Sequence, residues 1–442
     1  MCRGSMSHDT LFDCGDDAEG QPEREVSGDV RLRRAKRDQS LMWACVIDEL
    51  IPEDHRARAF WELLDTFDLS RFQEGIRSRG QHAGRPAIDP QVLICLWLYA
   101  TSEGVGSARH LSRLVDRDAP YRWIAGGMRV SAHTLSDFRV GHQKALDKLL
   151  TDLLAMLMSS GVVSLNRVAQ DGTRVRANAG AASFRRERSI KECLRVAKKQ
   201  VEATRAELDA PASVDTEKVK KAAAARAAQE RTERLEKALT ELEELRGGPQ
   251  KQKDPEEVRA SSTDPDARVM KQADGGYRPA YNIQGVADTE SRIIVDVAVT
   301  KKGNDYEEME PMLDRVQERL GGQPCELLVD GGYAKKSCIE AVEGRGVDIY
   351  APQAKTRKGD PAKPRWDDKE GVARWRQRMA TPEAAEVYKE RASTIETAFG
   401  DMKQHRGLRQ LPVRGVEKAH SIALLTTLAY NFVRVISLGV TA

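Results

Sequence analysis

The sequence of 442 residues predicts a mixed α/β protein. Its sheet would carry helices on both faces, follow an all-helical domain and be interrupted by a helical hairpin. Three observations carry that prediction. Apolar residues recur at helix spacing across 41–160, and short apolar runs bounded by glycine alternate with helical stretches from 161 to the end. Residues 185–248 differ in composition, being rich in Ala, Glu, Lys and Arg.

Residues 1–40 are rich in Gly, Asp and Arg with few large apolar groups, which predicts a disordered tail. In 41–160, Phe60, Leu63, Leu64 and Phe67 share one helix face. Pro90 opens a helix bearing Val92, Leu93, Leu96, Trp97 and Ala100, and Ser131 caps another through Leu135 and Phe138. Such a module serves DNA binding or dimerisation. Arg109, Arg113, Arg117, Arg122, Arg129 and Arg139 tilt it towards DNA, because phosphates reward clustered arginine.

The run 166–170 predicts a strand ending at Asp171. In the segment that follows, Ile190, Leu194, Ala197, Val201 and Leu208 repeat at spacings near one helical turn, as do Leu235, Ala238, Leu242 and Leu245. Pro211 and Ser213 part the two runs, and Gly247-Gly248-Pro249 ends the second. An antiparallel hairpin inserted into the domain 161–442 fits this pattern, serving as a solvated spacer, a dimer contact or a DNA contact. Strands follow at 281–286 and 292–299, whereas 270–273 reads as no strand. A helix bearing Met309, Met312, Leu313, Val316 and Leu320 leads to a strand at 326–329, closed by Asp330-Gly331-Gly332-Tyr333. A helix at 336–342 and a strand at 347–350 complete the order.

Composition excludes several classes. Lys and Arg number 71 against 68 Asp and Glu, so nucleic-acid binding must rest on local clusters. Seven scattered cysteines without a CxxC pair predict reduced thiols and no zinc site. No N-terminal apolar stretch of signal-peptide type is present, and 422–438, interrupted by Asn431 and Arg434, predicts a buried helix rather than a membrane span. A soluble intracellular protein is expected.

Asp330 follows an apolar run, Asp171 follows the strand predicted at 166–170, and both precede glycine, where an α/β sheet usually exposes a functional group. Two such carboxylates can share Mg²⁺, or Mn²⁺ in its place, and a metal pair can activate an attacking oxygen while stabilising the leaving one. A late helix offers the third ligand, Glu396, with Lys403 two turns further on the same face. Glu390 is its rival. Asp274, in a second Asp-Gly-Gly-Tyr, reads as a loop residue, and Asp296 reads as solvent-facing. The segment 355–378 carries nine Lys or Arg against four acids, with Trp366 and Trp375 interleaved around Arg374. It predicts a DNA-holding strip, or else tryptophans that anchor a loop. Arg406, Arg409 and Arg414 extend the positive charge past Lys403.

Together these segments resemble bacterial insertion-sequence transposases of the DDE class, in the group whose last helix bears a Tyr…Arg…Glu…Lys signature. The resemblance spans about residues 41–435 and rests on Gly84-Arg85-Pro86-Ala87-Ile88-Asp89-Pro90, Asp171-Gly172-Thr173, Asp330-Gly331-Gly332-Tyr333 and Ile395-Glu396 to Lys403. It implies a ribonuclease H-like core, Mg²⁺-dependent cutting of transposon inverted-repeat ends, and joining of the freed 3′-hydroxyls to target DNA. It further implies a homodimer in a synaptic complex and a cytoplasmic, nucleoid-associated protein without membrane contact. Carried over residue by residue, Asp171, Asp330 and Glu396 become the catalytic metal ligands, and Tyr388, Arg391 and Lys403 become phosphate or end contacts. Four residues separate Arg391 from Glu396, where the family has three, which predicts that Arg391 is rotated off the Glu396 face. The alternatives are a nuclease of the same fold that does not join, and an inactive DNA-binding protein from a decayed element.

Overall fold

The computed structural model describes residues 45–76, 78, 86–209, 215–247, 254–353 and 362–440. The expected disordered tail, Gly84 and Arg85, the hairpin breakers Pro211, Ser213, Gly248 and Pro249, and 355–361 of the basic strip lie outside the described residues.

Six helices come first: α1 (Arg56–Asp65), α2 (Pro90–Ser102), α3 (Ala108–Arg117), α4 (Ala119–Ile124), α5 (Ala132–Gly141) and α6 (Gln143–Ser159). Side-chain caps start most of them, each supplying an acceptor to a backbone N–H that the helix itself leaves unpaired. The His55, Asp89, Ser107 and Ser131 side chains accept from the N–H of Ala57, Gln91, His110 and Thr134. Helix α2 is apolar nearly all round, so it lies inside the bundle, where the Trp97 indole donates to the Leu135 carbonyl at 2.9 Å.

Strand β1 (Arg167–Arg176) follows, then β2 (Phe184–Arg185) and the two long helices α7 (Glu187–Asp209) and α8 (Asp215–Gly247). These helices share a small apolar seam of Ile190, Ala197, Leu235, Ala238 and Leu242, separate from the main core. Strand β3 (Ala260–Ser261) pairs antiparallel with β2 and closes the root of the insertion. Next come β4 (Arg268–Lys271), β5 (Tyr277–Asp288), β6 (Ile294–Thr300), α9 (Met309–Leu320), β7 (Glu326–Leu328), α10 (Lys336–Gly344) and β8 (Asp348–Tyr350). Helices α11 (Glu370–Met379), α12 (Pro382–Arg391), α13 (Thr397–His405) and α14 (Val416–Ser437) end the chain.

The result is a mixed α/β fold with a helical N-terminal region. Its sheet runs β4-β5-β1-β7-β8, with β6 also on β5. β5 is antiparallel to β1, β4 and β6, while β1, β7 and β8 are mutually parallel. Helix α14 packs against β6, α2 and α6, and one apolar core runs through helical region and sheet alike. Its Asn431 amide both accepts from the Ile294 N–H, at 2.9 Å, and donates to the Ile294 carbonyl, at 2.8 Å. Among the described residues this one helix is long and apolar enough to cross a membrane, and 72% of the qualifying window is buried inside the protein.

Three expectations are corrected here. Residues 268–271 do form a strand, a short edge strand hairpinned to β5, and Asp274 sits in its turn, bonded to Arg278 at 2.8 Å. Asp296 does not face solvent. It is wholly buried and bound by Arg315 at 2.7 Å and Arg319 at 2.7 Å, because α9 covers the strand face that the alternation assigned to water. Asp171 does not end its strand: β1 continues to Arg176 because β5 keeps pairing with it as far as Ala280.

Candidate active site

Asp171 stands where β1 loses one neighbour. The parallel pairing with β7 runs Arg167 with Glu326 to Ala169 with Leu328, then stops. Continuing that register by two residues sets Asp330 beside Asp171. Asp330 itself starts a tight turn, its carboxylate accepting from the Gly332 N–H at 2.7 Å.

A late helix is pressed onto the same face of the sheet. Gly285 is the β5 partner of Asp171, and a Cβ there would sit 2.8 Å from the Phe399 ring and 3.5 Å from Ile395. Only glycine lets the helix approach so closely. Between α12 and α13 the chain makes a π-helical turn, Ala392–Glu396. Its looser winding brings residues five apart over one another. Arg391 therefore lies on the Glu396 face, contrary to the α-helical expectation, with Nη1 on Glu396 at 2.5 Å and Nη2 on Asp171 at 3.2 Å.

Burial is the largest influence on Asp171 and pushes its carboxyl up to about 6. Arg391 opposes the rise, while the charges of Asp330 and Glu396 add to it. Tyr388 is half-buried: burial raises the proton affinity of its hydroxyl, Arg391 opposes the rise, and Asp330 and Glu396 add to it. Lys403 is also half-buried and makes no ion pair among the described residues. Burial lowers its proton affinity, Asp171 raises it, and Arg174 and Arg409 lower it further.

Below the sheet lies support that the sequence reading missed. Asp305 accepts from Asn282 at 2.7 Å and Gln284 at 2.6 Å, and Gln284 in turn accepts from the Tyr333 hydroxyl at 2.5 Å. This chain of bonds ties down the turn that carries Asp330. A Cβ on Gly172 would fall 2.3 Å from Asp305 Oδ1, so the Asp171-Gly172 pair has a packing reason. The buried polar alternation Asn282, Gln284 on an otherwise apolar strand was the signal for it.

Other predicted contacts are elsewhere. Glu390 binds Arg167 at 2.7 Å and does not join the acids. Trp375 is a core residue, its indole on the Ala351 carbonyl, and cannot stack on a base. Arg406 is buried too, paired with Asp401 and lying over the Tyr430 ring. Arg374 is held by Glu370 at 2.9 Å and the Glu343 carbonyl at 3.2 Å. Trp366 is 98% exposed in a turn before α11. Arg409 is exposed, with Nε on the Lys403 carbonyl at 3.1 Å.

All three acids offer oxygen donors of the kind that hard cations prefer, and Asp330 and Glu396 both raise the proton affinity of Asp171. Among the described residues no three acidic, histidine or cysteine side chains enclose a metal-sized space. The Arg391 guanidinium bridges two of the acids instead.

Residues 254–432 match the family model described as Transposase DDE domain, and residues 33–141 match that described as Transposase domain (DUF772). Together the matched segments cover more than half of the chain, which belongs to the insertion-sequence transposases of the DDE class. Members of this class act on DNA and generally use divalent metal ions. No curated protein and no solved structure matches the chain. The DDE match contains Asp330 and Glu396, while Asp171 and the hairpin lie between the two matched segments.

Proposed function

We propose that this transposase cuts the ends of its element and joins the freed 3′-hydroxyls to target DNA, using Asp171, Asp330 and Glu396 on a ribonuclease H-like sheet. One observation carries the reading. Arg391 pairs with both Asp171 on β1 and Glu396 on the π-helical turn, and the β1–β7 register, continued by two residues, brings Asp330 beside Asp171. The strand order, with a central β1 flanked by antiparallel β5 and parallel β7, supports the ribonuclease H-like assignment.

Mg²⁺ or Mn²⁺ held by these carboxylates would supply the charge that activates an attacking oxygen and stabilises the leaving one. The chain's own groups do the rest. Arg391 holds Asp171 and Glu396 in register, and the Gln284–Tyr333 bond fixes the Asp330 turn. Lys403, half-buried without an ion-pair partner among the described residues, would meet a phosphate oxygen beside Asp171. The helical region at 41–160 serves to bind DNA or to dimerise, since two ends must be brought together.

The test is Asp330→Asn, assayed on duplexes carrying the terminal repeats with Mg²⁺. Cleavage and joining should fall by about a thousandfold while duplex binding is kept. Undiminished metal-dependent cleavage would overturn the triad. Cut ends without joined product in the wild type would make the protein a nuclease.

A further inference from the structure

At the root of the helical hairpin, a cleft of about 260 Å³ is lined by Arg185, Arg231, Arg234 and Arg414, with Ser262 and Thr263 in its wall. No carboxylate lines it. Among the described residues none of the four arginines forms an ion pair. Their hydrogen bonds go to neutral groups: Arg185 to Cys193 Sγ at 3.5 Å, Arg231 to Gln200 at 3.5 Å, and Arg414 to the Asn178 carbonyl at 3.3 Å. The Nε of Arg234 is buried with no hydrogen-bond partner among the described residues. Burial lowers the proton affinity of Arg234, the charges of Arg414 and Arg231 lower it further, and Glu230 opposes them without pairing with it. Two arginines elsewhere are neutralised by buried acids, Arg268 by Glu241 and Arg319 by Asp296, whereas at the cleft Arg234 is partly buried and Arg185, Arg231 and Arg414 are exposed. Crowded guanidinium groups without a counter-charge repel one another, and an anion relieves that repulsion.

The cleft also lies on a line of positive charge. Arg414 is tied to Asn178, which follows β1, and between that residue and Asp171 lie Arg176 and also Arg174, the latter paired with Asp305 at 3.5 Å. Arg409 joins them, since its carbonyl accepts from the Arg176 N–H at 3.2 Å. From Asp171 to Asn178 an extended chain reaches at most roughly 23 Å. That is about seven base pairs of duplex at 3.4 Å each.

We propose that this four-arginine cleft holds a backbone phosphate of the duplex whose end is cut at Asp171, within about seven base pairs of the cut. The inserted hairpin is then a DNA clamp rather than a spacer or subunit contact. The site rests on the DNA-cutting function proposed above. A guanidinium fork matches two phosphate oxygens, and the Arg234 Nε is a donor still without an acceptor.

The experiment uses the full-length protein with Arg231→Ala/Arg234→Ala and with the double lysine variant. Affinity for a terminal-repeat duplex is measured across a salt series. The alanine variant should bind about tenfold or more weakly at low salt, with a log K against log salt slope shallower by about one to two. The lysine variant should keep most of the slope. Shortening the duplex until it ends at the cut should remove the difference between wild type and alanine variant. Unchanged affinity and slope in an alanine variant of wild-type helicity would overturn the proposal. So would altered self-association with the slope intact, or stabilisation by inorganic phosphate that depends on these arginines without any effect on duplex binding. Asp330→Asn separates the two readings: cleavage that survives it sinks the triad, whereas a lost salt slope in the arginine variant leaves the clamp standing.

Discussion

The basic strip before and within α11 and the cleft at the hairpin root are both rich in arginine, yet their arginines do opposite things. In the strip, Arg376 is bound by the buried Asp368 at 2.5 Å and Arg378 by Glu343 at 2.5 Å, while Arg374 is held by Glu370. At the hairpin root none of the four forms an ion pair among the described residues. Local charge count therefore does not locate a phosphate site. What locates it is whether a carboxylate from a distant part of the chain has already taken the guanidinium. Lys403 and Arg406 repeat the contrast three residues apart, one without an ion pair beside Asp171 and the other buried on Asp401.

The largest effect that can test this contrast is on stability. Arg376→Ala leaves Asp368 buried without its main partner and should cost about 3 kcal/mol in chemical denaturation, with duplex affinity unchanged. Arg234→Ala should do the reverse, weakening the duplex and sparing stability. If both substitutions weaken DNA equally, the contrast fails. A smaller effect is expected from Lys403→Met, which removes a half-buried ammonium at the acids. The cleavage rate should drop by about tenfold or more with thermal stability not lowered, read by single-turnover kinetics and calorimetry. The smallest effect is in acid. Burial favours the neutral form of Asp368, but Arg376, Lys336 and the Arg365 N–H outweigh it and hold the carboxyl well below the usual range. A depressed carboxyl contributes stability above its unfolded value, and that contribution is lost as pH falls through the folded one. Amide exchange, corrected for its intrinsic pH dependence, should show α11 losing protection below about pH 4 before the cleft-facing turns of α8 do.

Much of the sheet was readable from local pattern. The run before Asp330 and the glycines after it mark a strand end, and the structure puts the strand end there. Where partners come from far along the chain, local pattern failed. Asp296 alternates as a solvent-facing residue should, and only the packing of α9 over β6 reveals Arg315 and Arg319 as its partners. Trp375 and Arg406 look like exposed recognition residues until Ala351 and Asp401 are seen beside them. The edge strand β4 carried a hairpin signal in Gly275-Gly276 that its own composition obscured.

The π-helical turn at Ala392–Glu396 has a consequence for how such chains vary in length. A residue added to an ordinary helix would swing everything after it around the axis. Here the surplus is swallowed within one wide coil, so Phe399, Met402 and Lys403 keep the phase they would have had without it. A pattern search that counts gaps will pass over such a chain. One that asks which side chains share a face will not.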